Sequence, residues 1–395
     1  MQICICRVRV EYNFDEIVIH ARTGLNPRKN FILGKGNNRY ITIKNIKNNS
    51  LVIDDNTDFI DDEAVDMIHK RSQIKKGDIL FASIGRFGDT YIIEEEPTGW
   101  DINESVFAFT VDEKLIRQKY FHYLFKHKET IRQLTKNSSG STFKSIKMNQ
   151  LKKMRFDLPD LNSQDIIVSL LDCVTNIISI YEQELLLLDE LVKARFVEMF
   201  GDPITNDMLW NTVKLNDVCY GIGDGLHGTP EYDEYGDYPF INGNNLKNGK
   251  IEITPSTKMV NEDIYRKYFI KLTENTILLS INGTLGNLAL YNGEKVVLGK
   301  SACYCNLIPD INRIFVCSVM KTDAFSNFLE SNATSSTIKN IGLKVIREFE
   351  LIVPPLELQN QFASFVEEID KSRLRELLAI KQIKLLLHDS WFLFY

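Results

Sequence analysis

The chain has 395 residues, 44% of them hydrophobic, and a formal net charge of -6. That length provides for two ordinary domains with spacers, and the apolar content for real cores. The seven cysteines form no C-x-x-C pair, Met1-Gln2-Ile3-Cys4 does not open a signal peptide, and no run approaches about 18 apolar residues. A disulfide scaffold and a membrane span are thereby excluded, and a soluble, cytoplasmic protein with reduced thiols is expected.

Residues 1–158 read as a first globular unit. Ile3, Ile5, Val8 and Val10, then Ile17 and Ile19, alternate as short strands. Thr23 to Asn38, with Gly24, Pro27, Gly34 and Gly36, reads as an irregular loop that carries or adjoins Arg22, Lys29, Lys35 and Arg39. Cations and amides pair with phosphates and with guanine and adenine edges, so a nucleic-acid contact and a solvated polar loop stand even here. Tyr40 to Lys44 alternates as a strand whose last residue, Lys44, is a further candidate DNA contact, and the acidic run Asp54 to Asp66 would face away from DNA. The strand Ile79 to Ile84 runs into Gly85-Arg86-Phe87-Gly88, whose glycines suit a tight turn. Leu115 to Lys136 is predicted to be one helix with Tyr120, Phe121, Tyr123 and Phe125 in the core. A small-residue loop including Ser141 and Thr142 follows, then a cationic cluster of Lys144, Lys147, Lys152, Lys153 and Arg155.

Residues 159–203 form a central spacer. A helix from about Gln164 to Phe200 is predicted, capped by Asn162 or Ser163 and stopped by Phe200-Gly201-Asp202-Pro203. At about 1.5 Å per residue it is roughly 55 Å long. Leu171, Val174, Ile178, Tyr181, Leu185, Leu188 and Val192 recur at alternating three- and four-residue steps, the seam of a coiled coil, which Arg195 breaks. Seven acids against Lys193 and Arg195 place most of the excess negative charge on this helix and leave the remainder of the chain near neutral.

The second unit, 204–353, contains a loop from Gly221 to Tyr238 with His227 and Thr229, followed by Asn242, Asn244 and Asn245. Adenine recognition and turn formation both explain the asparagines, the turn ranking first. His227 reads as a loop hydrogen-bonder, because no Ser or Cys nucleophile accompanies it. In the last spacer, 354–395, Val366, Ile369, Ile380, Ile383 and Leu387 form an equivalent seam, interrupted by Arg373, Glu376 and Ser390. Helices with matching seams pair with each other, here antiparallel.

The units are copies. Offset by 195 positions, Ser139 to Ile146 aligns with Thr334 to Ile341, Leu158-Pro159 with Val353-Pro354 and Gln164 with Gln359; Gly85 to Gly88 matches Gly283-Thr284-Leu285-Gly286, and Asn45 matches Asn245. Thr284, Ser336, Thr337 and Lys339 are thus second-copy counterparts of the first-unit candidates. The fold expected is α+β: two tandem α/β units, each followed by a long helix, the two helices pairing as an antiparallel coiled coil. No phosphate loop, H-E-x-x-H, nucleotide fold or amino-methylation tetrapeptide occurs, so no catalytic, metal-binding or cofactor-binding residue is assigned.

Gly77-Asp78-Ile79-Leu80, the paired-glycine loops, the small-residue loops leading to Leu158-Pro159 and Val353-Pro354-Pro355-Leu356-Glu357, Gln164, Gln359 and Phe200-Gly201-Asp202-Pro203 resemble the specificity subunit of type I restriction-modification enzymes, over essentially the whole chain. The resemblance implies a non-catalytic subunit with two target recognition domains, each reading one half of a split double-stranded DNA sequence. It implies two methyltransferase subunits docked on the long helices and restriction-translocase subunits beyond them, with S-adenosylmethionine, ATP and Mg held by those partners and no membrane involved. A specificity subunit of a related methylase-nuclease outside type I, and a coiled-coil adaptor without DNA, are the alternatives. Relative to the family, the first unit lacks the leader present at Asn211 to Val218 and the second helix lacks a Gly-Asp-Pro stop, which reads as shortened ends.

Overall fold

The computed structural model describes residues 9–47, 50–85, 88–138, 145–335 and 338–390. The chain divides into two compact units, one of residues up to Ile180 together with Ala379 onward, the other Tyr181–Leu378. Both divisions fall inside long helices, so each unit owns half of each.

The first unit is built on a four-stranded antiparallel sheet in the order Val18–Thr23, Val106–Val111, Ile79–Ala82, Thr90–Ile92. Beside it, Asn38–Ile41 lies between Phe59–Ile60 and the parallel strand Trp100–Ile102. The central strand Ile79–Ala82 is buried along its whole length, and its period of two divides its side chains between two cores. Ile79 and Phe81 enter an aromatic cluster with Phe14, Phe109, Phe121, Phe125 and Phe156, while Leu80 packs with Ile41, Ile102 and Val106. Rings in the first cluster approach at 5.0 Å for Phe81 and Phe125 and 5.3 Å edge-on for Phe14 and Phe109.

The second unit repeats the scheme. Its sheets order Cys219–Asp224, Ala302–Leu307, Thr276–Ser280, Leu288–Leu290, and Met259–Val260, Tyr238–Ile241, Val297–Leu298, the last two again parallel. Cys303 and Cys305 share one buried face of their strand and all the cysteines described are free.

The segment predicted as one helix over 115–136 is two, Gln118–Leu124 and Lys128–Asn137, broken where His127 caps the second with its ring nitrogen. The four aromatics expected in the core are all buried. The first long helix runs Leu161–Phe200 and the second Leu356–Ser390. Neither expected cap of the first is used. Asp160 accepts from the Ser163 backbone N–H at 3.0 Å and from its hydroxyl at 2.7 Å, so the helix begins earlier than its apolar pattern. Gly201, at φ 75°, ends it as predicted.

All twelve predicted seam residues are buried or half-buried. In the second unit Phe196 packs on Phe362 at 5.5 Å, the Arg195 guanidinium lies 5.9 Å from the Phe365 ring, and Arg373 hydrogen-bonds Asp189. Partners descend one helix while ascending the other, so the pair is antiparallel. In the first unit Leu387 packs against the cluster holding Ile167 and Leu171, in the same sense. Contrary to the expectation from apolar runs, the first long helix is long and apolar enough, by length and composition alone, to cross a membrane. The reason is a second stripe: Ile166, Leu170, Ile177, Ile180, Leu187 and Leu191, one position from the seam, are exposed. A two-stripe helix has the hydropathy of a span and the geometry of a helix with two neighbours.

Each long helix is tied to its unit by a fully buried glutamine. Gln164 accepts the Arg117 N–H at 2.8 Å and donates to the Leu115 and Pro159 carbonyls at 3.0 and 2.9 Å. Gln359 accepts the Asn312 N–H at 2.9 Å and donates to the Pro354 carbonyl at 2.7 Å. Truncating either strands buried donors and acceptors. Gln164→Ala and Gln359→Ala are each expected to cost about 1–3 kcal/mol, read as a lowered denaturant midpoint; unchanged midpoints would show the clamps to be dispensable. A second expectation concerns acid. Burial, helped by the charge of Lys126, pushes His122 down to about 3 while its Nδ1 lies 2.8 Å from the Thr90 hydroxyl. The unfolded chain, with a histidine near pH 6.5, binds the proton first, so stability is lost as pH falls from about 6.5 toward 3. Urea titrations of His122→Gln across that range should show a shallower loss than the unsubstituted protein.

Candidate nucleic-acid interface

In each unit one edge gathers the loops at the same end of the sheets. Gly24 follows the strand Val18–Thr23, and Gly225 follows Cys219–Asp224. A Cβ on Gly24 would stand 1.7 Å from the Ile102 carbonyl oxygen, and one on Gly225 1.9 Å from that of Leu298, so only glycine passes. Next to them the chain leaves the parallel strand pair into a short 3-10 turn, Ile43–Asn45 or Gly243–Asn245. Asn45 accepts the Thr42 N–H at 2.9 Å and donates to Val52 carbonyl and Thr57 hydroxyl oxygens at 3.0 and 2.9 Å. Asn245 does the same with Asn242, Glu252 and Thr257, at 3.0, 3.1 and 3.4 Å.

The paired-glycine loops adjoin these turns. In the second unit the Gly283 N–H donates to the Lys339 carbonyl at 2.9 Å, the Ser280 hydroxyl bonds the Thr284 carbonyl, and the Gly243 N–H donates to the Ser301 hydroxyl at 2.9 Å. Asn244, Thr284, Lys300 and Lys339, all exposed, therefore share one edge. In the first unit the bridge Ile84 to Ser145 and the Ile146 N–H to Ser83 carbonyl bond of 2.9 Å bring the end of the small-residue loop and Lys147 beside Gly85. Lys44 and Lys147 are exposed there. Arg86, Ser141, Thr142, Lys144, Ser336 and Thr337 lie outside the described residues.

Several candidate side chains are engaged within the protein. Arg22 is a strut: its guanidinium meets Asp78 at 2.8 Å and Thr110 at 2.6 Å, on a carboxylate with no exposed surface. Arg39 lies 3.9 Å above the Phe59 ring and Lys35 pairs with Asp61 at 3.1 Å. Within the cationic cluster, Lys152 and Arg155 pair with Asp15 and Glu11 at 2.9 and 2.7 Å. Asn242 accepts from Ser301 at 3.1 Å, and Asn245 is the turn former that ranked first. His227 meets Asp224 at 2.8 Å and, like Thr229 and Lys29, is exposed.

Sequence reasoning missed Lys300, whose backbone N–H donates to the Leu226 carbonyl at 3.0 Å and so stands at the base of the His227 loop, and Glu104, its first-unit equivalent. The available signal was Ser105 against Ser301: Ser83 N–H bonds the Ser105 carbonyl at 3.0 Å as Ile281 N–H bonds that of Ser301 at 3.1 Å. Among the described residues no three His, Cys, Asp or Glu side chains gather as a metal site.

Known proteins share this duplicated arrangement. A family model described as the type I restriction modification DNA specificity domain matches twice, over residues 12–189 and 208–385. The MjaIX type I restriction enzyme specificity subunit of Methanocaldococcus jannaschii is 23% identical over 193 residues, covering 47% of this chain and 44% of that protein. A putative type I restriction enzyme specificity subunit of Haemophilus influenzae, S.HindORF215P, is 34% identical over 104 residues, 26% of this chain and 25% of its own length. The chain thus spans less than half the length of these curated relatives. The crystal structure of the type I restriction-modification S subunit from M. genitalium shares the fold, with TM-score 0.54 at 15% identity, covering 98% of this chain and 95% of that one. With both of its units matched by one family model, the chain belongs to the type I restriction-modification DNA specificity family.

Proposed function

We propose that this chain is the DNA sequence-recognition subunit of a type I restriction-modification complex, working in the cytoplasm. Each unit reads one half of a split target, and the paired long helices set the gap between the halves. The observation that carries this reading is the duplication itself: the same edge, built on the same hydrogen bonds, occurs once in each unit. The chain takes no catalytic step. Two methyltransferase subunits supply S-adenosylmethionine, and restriction-translocase subunits supply ATP and Mg. The exposed stripe Ile166 to Leu191 offers those partners a helix face, and the near-neutral charge of the units leaves much of the phosphate contact to them.

The ruler is testable by length. Glu184 and Glu376 are close enough for the Glu184 charge, after burial, to raise the Glu376 carboxyl, so a heptad inserted after each lengthens both helices at matching places. Seven residues add about 10.5 Å, about three base pairs at roughly 3.4 Å each. Methylation mapping of the assembled complex should show both half-sites intact and the unread gap longer by about three base pairs. A gap of unchanged length in a methylating complex would refute the ruler.

A further inference from the structure

The two edges are alike in what holds them and unlike in what they display. The Asn45 and Asn245 pins, the Asn103 and Gly299 N–H bonds to the Ile41 and Ile241 carbonyls, both 2.8 Å, and the Gly24 and Gly225 close approaches are equivalent pair by pair. One residue before each pin the chain exposes a side chain: Lys44 in the first unit, Asn244 in the second. Among the described residues neither side chain has an internal hydrogen-bond or ion-pair partner. A second equivalent pair on the same edge reverses its charge, Glu104 against Lys300. A residue held on a rigid turn, with no task in the fold and a different identity in each copy, is placed to choose a ligand.

Resting on the reading that each unit contacts one half-site, we infer that Lys44 and Asn244 are equivalent base-reading positions and that they make the two half-sites differ. The side-chain chemistry sets the bases. A lysine ammonium donates to the O6 and N7 acceptors of guanine, while an asparagine amide both accepts from N6 and donates to N7 of adenine. The first unit therefore reads a guanine at this position and the second an adenine. Because the pins are asparagines one residue away, exchanging the displayed residues leaves the turn bonds in place.

Lys44→Asn and Asn244→Lys are made in the full chain, assembled with the methyltransferase partner, and the methylated motif is mapped across a genome by single-molecule sequencing. Lys44→Asn is expected to lower the preference for guanine at one position of one half-site by about tenfold or more, and Asn244→Lys to alter one position of the other, the gap unchanged. The original motif in both variants, or changes from both in the same half-site, overturns the assignment. Should Lys44→Asn methylate nothing, Lys44→Arg, which keeps the guanine-directed donors, decides. With arginine, the original motif upholds the assignment; lost methylation at an unchanged melting midpoint overturns it, because the position then serves assembly. An unsubstituted complex that leaves no two-part motif overturns the half-site reading beneath it, and this assignment with it.

Discussion

A buried amide with every polar atom occupied has one orientation, and in this protein that constraint sits at both junctions between sheet and long helix. The Gln164 side chain spans from the turn after the strand Val106–Val111 to the Pro159 carbonyl at the helix entrance. Gln359 repeats the clamp from Asn312 to Pro354. Since the carbonyl accepts and the amide donates, a carboxylate of the same shape would face carbonyl oxygens and be repelled. The proline on each side removes a backbone donor that would otherwise compete. The first turn of each helix is consequently fixed to the segment that precedes it. A two-residue linker alone would act as a hinge.

The seam between the helices fixes their register as well as joining them. A wholly apolar heptad pattern tolerates slippage by one repeat, whereas polar residues inside the seam do not. Arg373, half-buried, bonds Asp189 across the pair and Asp370 along its own helix, the latter at 2.6 Å. Glu376 lies one step on, its carboxyl raised by burial and by Glu184. Sliding the helices by a heptad would separate Arg373 from Asp189 and bring position 182 or 196 to its place. Arg373 and Glu376 break the apolar pattern in the middle of their helix and mark the register of the coil, while Phe196, Phe200 and Phe362 fill an ordinary core at one end.

Much of this architecture is legible in the residues because it is written in periods. A two-copy offset, a seven-residue seam and a Gly-Asp-Pro stop are all local or repeating signals. Features decided by three-dimensional partners are not. Asp160 caps the first long helix although it precedes the apolar pattern, since capping depends on where an oxygen can reach and not on where the stripe starts. The helix predicted over 115–136 breaks because His127 offers its ring nitrogen to a backbone N–H, an alternative that propensity does not weigh. Charge is the least legible of all. Arg22, Lys35, Lys152 and Arg155 look identical in sequence to free surface cations, yet each has its carboxylate, and three of those partners come from distant parts of the chain.

That sorting of side chains into engaged and idle is what gives the interface its logic. Asparagine occurs three times within four residues at 242–245, and one chemistry would seem to serve all three. The hydrogen bonds divide them: Asn245 is spent on the turn, Asn242 receives Ser301, and among the described residues the Asn244 side chain has no internal partner. A scaffold that must present different chemistry in two copies cannot let the presenting residue also hold the turn, because each change of ligand would then unpin the backbone. Here the pin and the displayed residue are neighbours with separate bonds, so stability is carried by the part that is the same in both units, and under the proposed assignment discrimination is left to the part that differs.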